Sequence, residues 1–263
     1  SLSNINPTFP KDFTCYTHNL NGIKQAAYKK GFFRYIADTT HDIVALQETK
    51  ISTAKEDSYK HLFSQAGFKH QAWRSTSKGG YAGVPILSRF NETQVIHTDL
   101  VDSSNPDLHG RILAMEFPTV AFITAYIPFG GYRPDAPVTQ RLCYAALKTA
   151  ISRFKAKPTI ILGDFNVAHT PSDCTADYGP CATIYERQRF TQLLFNGHPT
   201  FVDCFRHLWP TAKAFTARYL PPKPSEGPRP RCQFFRLDYI LASTTNRLRL
   251  RLCQIRHDFT YSD

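Results

Sequence analysis

The sequence is poor in long apolar runs, in closely spaced cysteines and in acidic residues, and each shortage excludes a class of protein. No apolar run approaches the length that spans a bilayer. Residues 1–12 lack the basic region followed by an apolar region that marks a signal peptide. The seven cysteines are odd in number, and no two of them are separated by two residues. We therefore predict neither a zinc knuckle nor a disulfide framework, and we expect free thiols in a reducing compartment.

Acidic residues are outnumbered by basic ones. The chain has 32 Lys and Arg against 21 Asp and Glu, a net charge of +11. Such an excess favours a polyanionic partner, and nucleic acid leads because Lys and Arg release counterions from phosphates. The alternative is a basic protein without such a partner. The hydrophobic content of 42% over 263 residues is enough for a real core in one or two domains.

Two familiar kinds of site are missing, because the sequence has neither a serine elbow nor a glycine-rich phosphate loop of the usual spacing. The chemistry is instead predicted where a buried strand ends. Thr159–Leu162 is a short apolar run, Gly163 permits a sharp turn or a close approach, and Asp164 and Asn166 follow. Asp164 could accept a proton, and Asn166 could donate to a developing negative charge. The alternative is a turn with a helix cap.

Polar residues also follow other predicted strands. His41–Gln47 is apolar in the way of a buried strand and ends at Glu48, and Phe13–His18 ends at Asn19 and Asn21. Carboxylate and amide oxygens suit a hard cation, Mg²⁺ or Mn²⁺. The polar residues at strand ends are Asn19, Asn21, Glu48, Tyr126, Asp164, Asn166, Asp238 and Asp263.

The remaining pattern mixes strands with helices, which predicts a layered α/β domain without an evident internal boundary. Arg247–Ile255 alternates Arg and Leu, which predicts a half-buried strand with a cationic face for phosphate, or an edge strand protected by charge. Predicted helices cover Ile23–Asp38, Ser52–Ala66, Val138–Phe154 and Tyr185–Phe195. Other predicted strands cover Phe68–Trp73, Gly83–Leu87, Thr93–Leu100, Ile112–Phe117, Thr119–Ile127 and Phe234–Ala242.

Three other groups of residues are not assigned to a site. Leu220–Arg231 is rich in proline and basic residues and is predicted to be extended. Arg206 and His207 are interpreted as surface or capping residues. A metal site is not predicted in the 170–183 loop, because hard carboxylates and soft thiolates favour different metals. The loop contains Asp173, Cys174, Asp177 and Cys181.

The order of short motifs resembles the exonuclease III family of apurinic/apyrimidinic endonucleases, within the endonuclease/exonuclease/phosphatase superfamily. Each motif is short, but their order over most of the chain is specific. They are His18-Asn19-Leu20-Asn21-Gly22-Ile23, Leu46-Gln47-Glu48-Thr49-Lys50, Gly80-Tyr81-Ala82-Gly83-Val84, Gly110-Arg111, Thr124-Ala125-Tyr126-Ile127-Pro128, Gly163-Asp164-Phe165-Asn166-Val167-Ala168-His169, Asp203-Cys204-Phe205-Arg206-His207, Phe235-Arg236-Leu237-Asp238-Tyr239 and Ser262-Asp263.

The resemblance implies a four-layer αββα sandwich of the DNase I-like kind, with one domain over residues 13–263 after an N-terminal arm, residues 1–12. It also implies metal-dependent hydrolysis of a DNA phosphodiester, most directly incision 5′ to abasic sites in repair, with 3′–5′ exonuclease or 3′-phosphodiesterase activity as an extension. The expected partner is double-stranded DNA, abasic or nicked, and the expected protein is a nuclear or organellar monomer.

The resemblance also implies roles for single residues. Glu48 would bind Mg²⁺, with Mn²⁺ as the other candidate, helped by Asn21 and Asp263. Asp164 would orient or deprotonate the attacking water.

Other residues are implied to act on the phosphate and the DNA. Asn19, Asn166 and Tyr126 would hold the scissile phosphate, and Asp238 would pair with a phosphate-stabilising histidine. The residues implied to contact DNA are Lys50, Tyr81, Arg133, Arg218, Phe235 and Arg236, with Phe235 in the abasic pocket.

The chain departs from the family pattern at three points. The family has Asp or Asn where Asn21 stands, and usually Glu where His109 stands. A histidine is expected after Ser262-Asp263, so we expect the given chain to be a fragment. Two alternatives follow: the endonuclease domain of a non-LTR retrotransposon, and a catalytically inactive relative that binds nucleic acid. Lipid phosphatases of the superfamily are a more distant alternative. We also expect residues 220–231 to reshape specificity, towards 3′-end trimming or plain nicking.

Overall fold

The chain folds around two β-sheets that pack face to face. The structure is a computed structural model, which describes residues 12–29, 31–91, 94–101, 104–130, 136–175, 183–195, 200–219, 232–244 and 248–256. The strands are β1 (Cys15–Asn19), β2 (Ile43–Gln47), β3 (His70–Arg74), β4 (Val84–Ser88), β5 (Val95–His97), β6 (Ile112–Glu116), β7 (Ala121–Tyr126), β8 (Thr159–Asp164), β9 (Phe201–Asp203), β10 (Ala217–Tyr219), β11 (Gln233–Phe235) and β12 (Asp238–Ser243). The helices are α1 (Ile23–Lys29), α2 (Phe32–Asp38), α3 (Glu56–Gln65), α4 (Ala136–Arg153), α5 (Ile184–Phe195) and α6 (Cys204–Leu208).

The strands form one four-stranded and one six-stranded sheet. The first has the order β1-β2-β4-β3 and the second the order β5-β6-β7-β8-β12-β9, while β10 and β11 form a separate two-stranded ribbon. β1 is parallel to β2, and β7 is parallel to β8. Because the carboxyl ends of parallel strands meet at one edge of a sheet, both sheets send strand ends to a common edge of the sandwich.

Alternation along the strands builds three apolar layers. In β7, Phe122 faces the other sheet, whereas Ile123 faces the helical side with α4 and α5. In β2, Ile43 and Ala45 face the other sheet, and Val44 packs with α1, α2 and α3. Successive strand residues point to opposite faces, so each sheet buries both faces and needs a helical layer outside it. This arrangement confirms the predicted αββα sandwich.

One polar link crosses the layer between the sheets. Gln47 and Thr124 are both fully buried, and Gln47 Nε2 donates a hydrogen bond of 3.1 Å to Thr124 Oγ1. Thr17 Oγ1 donates to Gln47 Oε1 at 3.2 Å. A buried amide is tolerated because its hydrogen bonds are made, and it favours one register of the two sheets.

Several predicted elements differ from those observed. The helix predicted over Ile23–Asp38 is two helices, because Gly31 adopts φ +64° before α2 and an α-helix cannot continue through a left-handed residue. The strand predicted over Thr93–Leu100 is reduced to β5. The strand predicted over Phe234–Ala242 is divided into β11 and β12.

The Arg-Leu run is not a strand in its described part, residues 248–256. Leu248 packs against the layer between the sheets, but Leu252 is 62% exposed. The alternation therefore reflects contact on one side at the start of the run, without ladder hydrogen bonds. Across the described residues, the structure contains no helix that is both long and apolar enough to span a membrane.

Candidate active site

Three neighbouring strands of the six-stranded sheet place polar side chains in one row. Tyr126 at the end of β7 is the register partner of Asp164 at the end of β8, and Asp164 is in turn the partner of Asp238 at the start of β12. β12 runs antiparallel to β8, so its first residue lies where β8 ends. Two carboxylates and a phenol therefore stand side by side at the edge of the sandwich.

Asn19 connects this row to the four-stranded sheet. It is the last residue of β1, and Glu48 follows directly after β2. Asn19 Nδ2 donates hydrogen bonds to Glu48 Oε1 at 2.8 Å and to Asp164 Oδ2 at 2.7 Å. One amide thus holds a carboxylate from each sheet, which is possible only because the sheets pack face to face.

The backbone around the site is held in an uncommon conformation. Among the described residues, five that are not glycine have positive φ: Asn21, Glu48, Lys50, Ala82 and Asn166. Such residues are rare and are maintained where the surrounding structure enforces them. Here two backbone hydrogen bonds hold Glu48, Lys50 and Ala82 in this conformation: Gly22 N–H donates to Glu48 O (2.8 Å), and Lys50 N–H donates to Ala82 O (2.9 Å). Four of the five were predicted as site residues from sequence.

Asn166 is fixed rather than free to turn. Its backbone N–H donates to Asp164 Oδ1 at 2.8 Å, and its Nδ2 donates to the carbonyl of Ile127 at 2.9 Å. The alternative of a turn with a helix cap is not observed, because Phe165–His169 continues without helix. Asp164 therefore accepts from the Asn166 backbone and from Asn19, which orients its carboxylate.

Burial dominates the electrostatics of the row. It raises the pKa of Asp164 well above the usual range, and the neighbouring Asp238 carboxylate raises it further. Burial likewise raises the pKa of Asp238 to about 6, although Thr216 stabilises its charged form. Burial and the nearby Glu48 and Asp164 raise the pKa of Tyr126. The row therefore holds protons more tightly than isolated acids do, which suits groups that exchange protons near neutral pH.

Two of the three residues predicted to bind metal, Glu48 and Asn21, meet at one cation. Lys50 Nζ lies 2.7 Å from Glu48 Oε2 and 2.5 Å from Asn21 Oδ1. Oxygens from these residues therefore converge on one point where positive charge is stabilised, as a metal site requires. The described residues contain no group of three or more His, Cys, Asp and Glu side chains that would hold a metal by themselves. A two-ligand arrangement of oxygens fits a hard divalent cation that keeps several of its waters.

The structure separates the residues predicted to contact DNA. Tyr81 is 43% exposed and Arg218 is exposed on β10. Phe235 is buried in a small apolar cluster with Ala168, Cys174 and Leu237, so its ring is not available to a flipped nucleotide. Its neighbour Phe234 is the exposed aromatic, packed against Phe215. Arg133 and Asp263 lie outside the described residues, as do residues 220–231.

Arg236, which is predicted to contact DNA, is buried inside the protein. Its side chain is 1% exposed, and it donates to Asp173 Oδ1 at 2.7 Å and to both oxygens of Asp203 at 3.1 and 2.6 Å. The guanidinium also lies over the Tyr239 ring, 4.3 Å from its centroid. Arg236 therefore ties the segment before β12 to the loop after β8 and to the end of β9.

Sequence reasoning missed this network. Arg206 was assigned to the surface or a cap, but it pairs with Asp173 at 2.5 Å and donates to the carbonyls of Trp209, Pro210 and Ala212. Asp203 caps α6 by accepting from Arg206 N at 3.1 Å. Asp173 is in a predicted loop and Arg236 in a predicted strand, and nothing in the spacing of the two acids and two arginines paired them. Exposed His207 agrees with its prediction.

A layered α/β sandwich whose two sheets deliver carboxylates and amides to a shared edge defines the class of this protein. The chain belongs to the Endonuclease/Exonuclease/phosphatase family, whose sequence profile matches residues 16–263. This result confirms the resemblance on which the site residues were assigned. Nucleases of this family generally depend on a divalent metal.

Curated relatives and a solved structure agree with this membership. An exodeoxyribonuclease of Bacillus subtilis (strain 168) is 30% identical over 254 residues, which cover 93% of this chain and 94% of the relative. The DNA repair nuclease APEX1 of Danio rerio is 32% identical over 207 residues, which cover 75% of this chain and 64% of the relative. The structure of an AP endonuclease from Archaeoglobus fulgidus is similar with a TM-score of 0.66 at 23% identity, covering 86% of this chain and 85% of that one, and it supports the fold alone.

Proposed function

We propose that this protein is a metal-dependent DNA phosphodiester hydrolase that incises 5′ to abasic sites. One observation carries the proposal: Asn19 holds Glu48 and Asp164 together across the two sheets, beside Asp238 and Tyr126. This arrangement joins a cation-binding carboxylate to a buried acid of raised pKa. Hydrolysis of a phosphate diester needs both, a neutralised anion and an oriented water.

Each residue of the site has a separate role in the proposed hydrolysis. Asp164 accepts the proton of the attacking water, because its carboxylate is oriented by Asn19 and Asn166 and its raised pKa makes it a stronger base than an isolated aspartate. The Tyr126 hydroxyl would supply a donor to the phosphate oxygens. The N–H groups of the Asn19 and Asn166 amides already donate to Glu48, Asp164 and the Ile127 carbonyl, so these amides orient the acids beside the phosphate. Asp238 would orient the phosphate-stabilising histidine that the family has after Ser262-Asp263. The Oδ1 atom of Asp238 is buried without a hydrogen-bond partner among the described residues.

Glu48 and Asn21 would hold the metal, which we propose to be Mg²⁺, with Mn²⁺ as a substitute. When bound it would neutralise the phosphate and activate water as a Lewis acid. An amide at position 21 contributes an oxygen without a second negative charge, so affinity for the cation rests mainly on Glu48.

The relatives support DNA as the substrate. The Bacillus and zebrafish proteins are named as an exodeoxyribonuclease and a DNA repair nuclease, respectively. A net charge of +11 also favours a polyanionic substrate. The inward position of Phe235 leaves abasic specificity to other residues, and exposed Phe234 and Arg218 on the β10–β11 ribbon are the candidates.

The test uses a labelled duplex with one abasic analogue, with the full-length gene product and with its Asp164→Asn variant. Mg²⁺-dependent incision only 5′ to the analogue, abolished by EDTA and lowered at least 100-fold in the variant, is the expected result. An undamaged duplex and a 3′-phosphate duplex serve as parallel substrates. Cleavage of undamaged DNA at biased positions would replace abasic incision with target nicking. Binding without cleavage of any substrate would refute hydrolysis.

A further inference from the structure

The ammonium group of Lys50 lies where the two metal-binding oxygens converge. Glu48 Oε2 and Asn21 Oδ1 are 2.7 and 2.5 Å from Lys50 Nζ, which are the distances of charge-assisted hydrogen bonds. Among the described residues, the hydrogen bond from Lys50 Nζ is the shortest contact of the Asn21 side chain. A metal ion and an ammonium at the same two oxygens would repel each other, so each weakens the binding of the other there.

The backbone beneath Lys50 is fixed, but its side chain is not enclosed. Lys50 has φ +57°, its N–H donates to Ala82 O, and its carbonyl accepts from Gly80 N at 2.9 Å. The side chain passes over Gly22, and it is 31% exposed. A lysine has a long flexible stem with a compact charge at its end. The ammonium can therefore leave the oxygens while the residue itself stays in place.

The site also has a reason to keep a positive charge when no metal is present. The Asn19 amide contacts both Glu48 and Asp164, and Asp238 is the register partner of Asp164. Three carboxylates at the edge of one sandwich repel each other, and the Glu48 side chain is only 15% exposed, so water screens this repulsion incompletely. The Lys50 ammonium offsets that repulsion and holds Glu48 and Asn21 in the geometry that a metal needs.

We propose that Lys50 competes with the divalent metal for Glu48 and Asn21, acting as a resident counter-ion that the metal displaces. Lys50 is then a positioning residue, because it acts through these two side chains. Its released ammonium would then be available to DNA when the metal binds. The inference rests on the proposed function only in assigning the metal to Glu48 and Asn21.

The test measures metal binding without DNA. Isothermal titration with Mn²⁺ is carried out on the full-length protein and on Lys50→Met, which keeps the apolar stem and removes the charge. Lys148→Met is the matched control, because Lys148 is an exposed lysine on α4 and the same net charge is lost. Thermal unfolding of each variant checks that it is folded.

We expect Lys50→Met to bind Mn²⁺ about ten-fold more tightly than the unaltered protein, equivalent to ~1.4 kcal/mol. Lys148→Met should stay within about two-fold, as long-range charge effects are screened. Equal or weaker binding by Lys50→Met, with measurable binding by the unaltered protein, would overturn the competition and leave the proposed function standing. Absence of Mn²⁺ binding in both proteins would overturn the metal assignment itself, and with it the proposed function.

Discussion

Replacing Arg236 with Met tests whether the buried ion network supports the fold. The change removes three hydrogen bonds, of 2.7 Å to Asp173 and of 3.1 and 2.6 Å to Asp203, from a side chain that is 1% exposed. Asp173 keeps Arg206 and the two donors of Thr170. Asp203 keeps only the backbone N–H of Arg206 among its described hydrogen bonds. The cost therefore comes mainly from leaving Asp203 charged and unpaired.

A buried ion pair that loses one partner typically costs ~3–5 kcal/mol. Because domains are stable by about 5–15 kcal/mol, the loss should be visible at once in urea unfolding at pH 7. The second variant, Arg236→Met with Asp203→Asn, keeps the cap of α6 but removes the stranded charge. It should regain about half of the loss. Arg141→Met, on the exposed face of α4, should change the free energy of unfolding by less than about 0.5 kcal/mol.

Two results would refute this reasoning. A cost below about 1 kcal/mol would show that the network contributes little to stability. A double variant no more stable than the single one would show that the unpaired Asp203 charge is not the cause. The pH dependence is an independent check: the arginine pair lowers the pKa of Asp173 to about 2, so its contribution is full above about pH 4 and is lost as the pH falls towards 2.

Three further predictions concern the strands that build the site. Asp238→Asn should stabilise the protein at pH 7.5 by about 3 kcal/mol while abolishing cleavage. Folding raises the pKa of Asp238 from 3.8 to about 6, so the free energy of unfolding falls as the pH rises from about 4 to about 6. Equal urea midpoints for the variant and the unaltered protein at pH 7.5 would contradict this. Gly163→Ala should cost about 2–4 kcal/mol in urea unfolding, since its Cβ would overlap the carbonyl oxygen of Ala125 on β7. The control Gly31→Ala, whose Cβ meets no atom within 4 Å but whose backbone has φ +64°, should cost about 1 kcal/mol. Similar losses in the two variants would show that the close approach of Gly163 to Ala125 does not matter. Thr124→Val should cost about 1–3 kcal/mol by leaving the Gln47 amide with an unmet donor, a loss that Gln47→Leu in the same protein should partly reverse if the buried polar atom is its cause.

The layering of the fold was predictable because it depends on local patterns. Buried strands appear as apolar runs, and α4 and α5 appear as periodic segments whose observed bounds agree with those predicted to within two residues. The strand-end residues Glu48 and Asp164 were found for the same reason, since a polar residue directly after an apolar run is visible in the sequence. The break between α1 and α2 was missed because a single glycine inside a periodic segment is usually tolerated.

The pairing of charges could not be predicted, because it depends on residues that are far apart in the chain. Arg236 and Asp203 are separated by 33 residues and Asn19 and Asp164 by 145. In the sequence, Arg236 stands in a motif associated with DNA and carries a charge that suits phosphate. Only the folded structure turns it inward, where it meets two carboxylates.

The sequence by itself determined the family, the layered α/β fold and the residue types of the candidate site, because these follow from local periodicity and motif order. The tertiary structure decided which side chains meet: that Asn19 joins the two sheets, that Lys50 lies on the predicted metal ligands, and that Phe235 and Arg236 are buried. The physical reason is that hydrogen bonds and ion pairs form between neighbours in space, and neighbours in space are set by how strands pair and sheets pack.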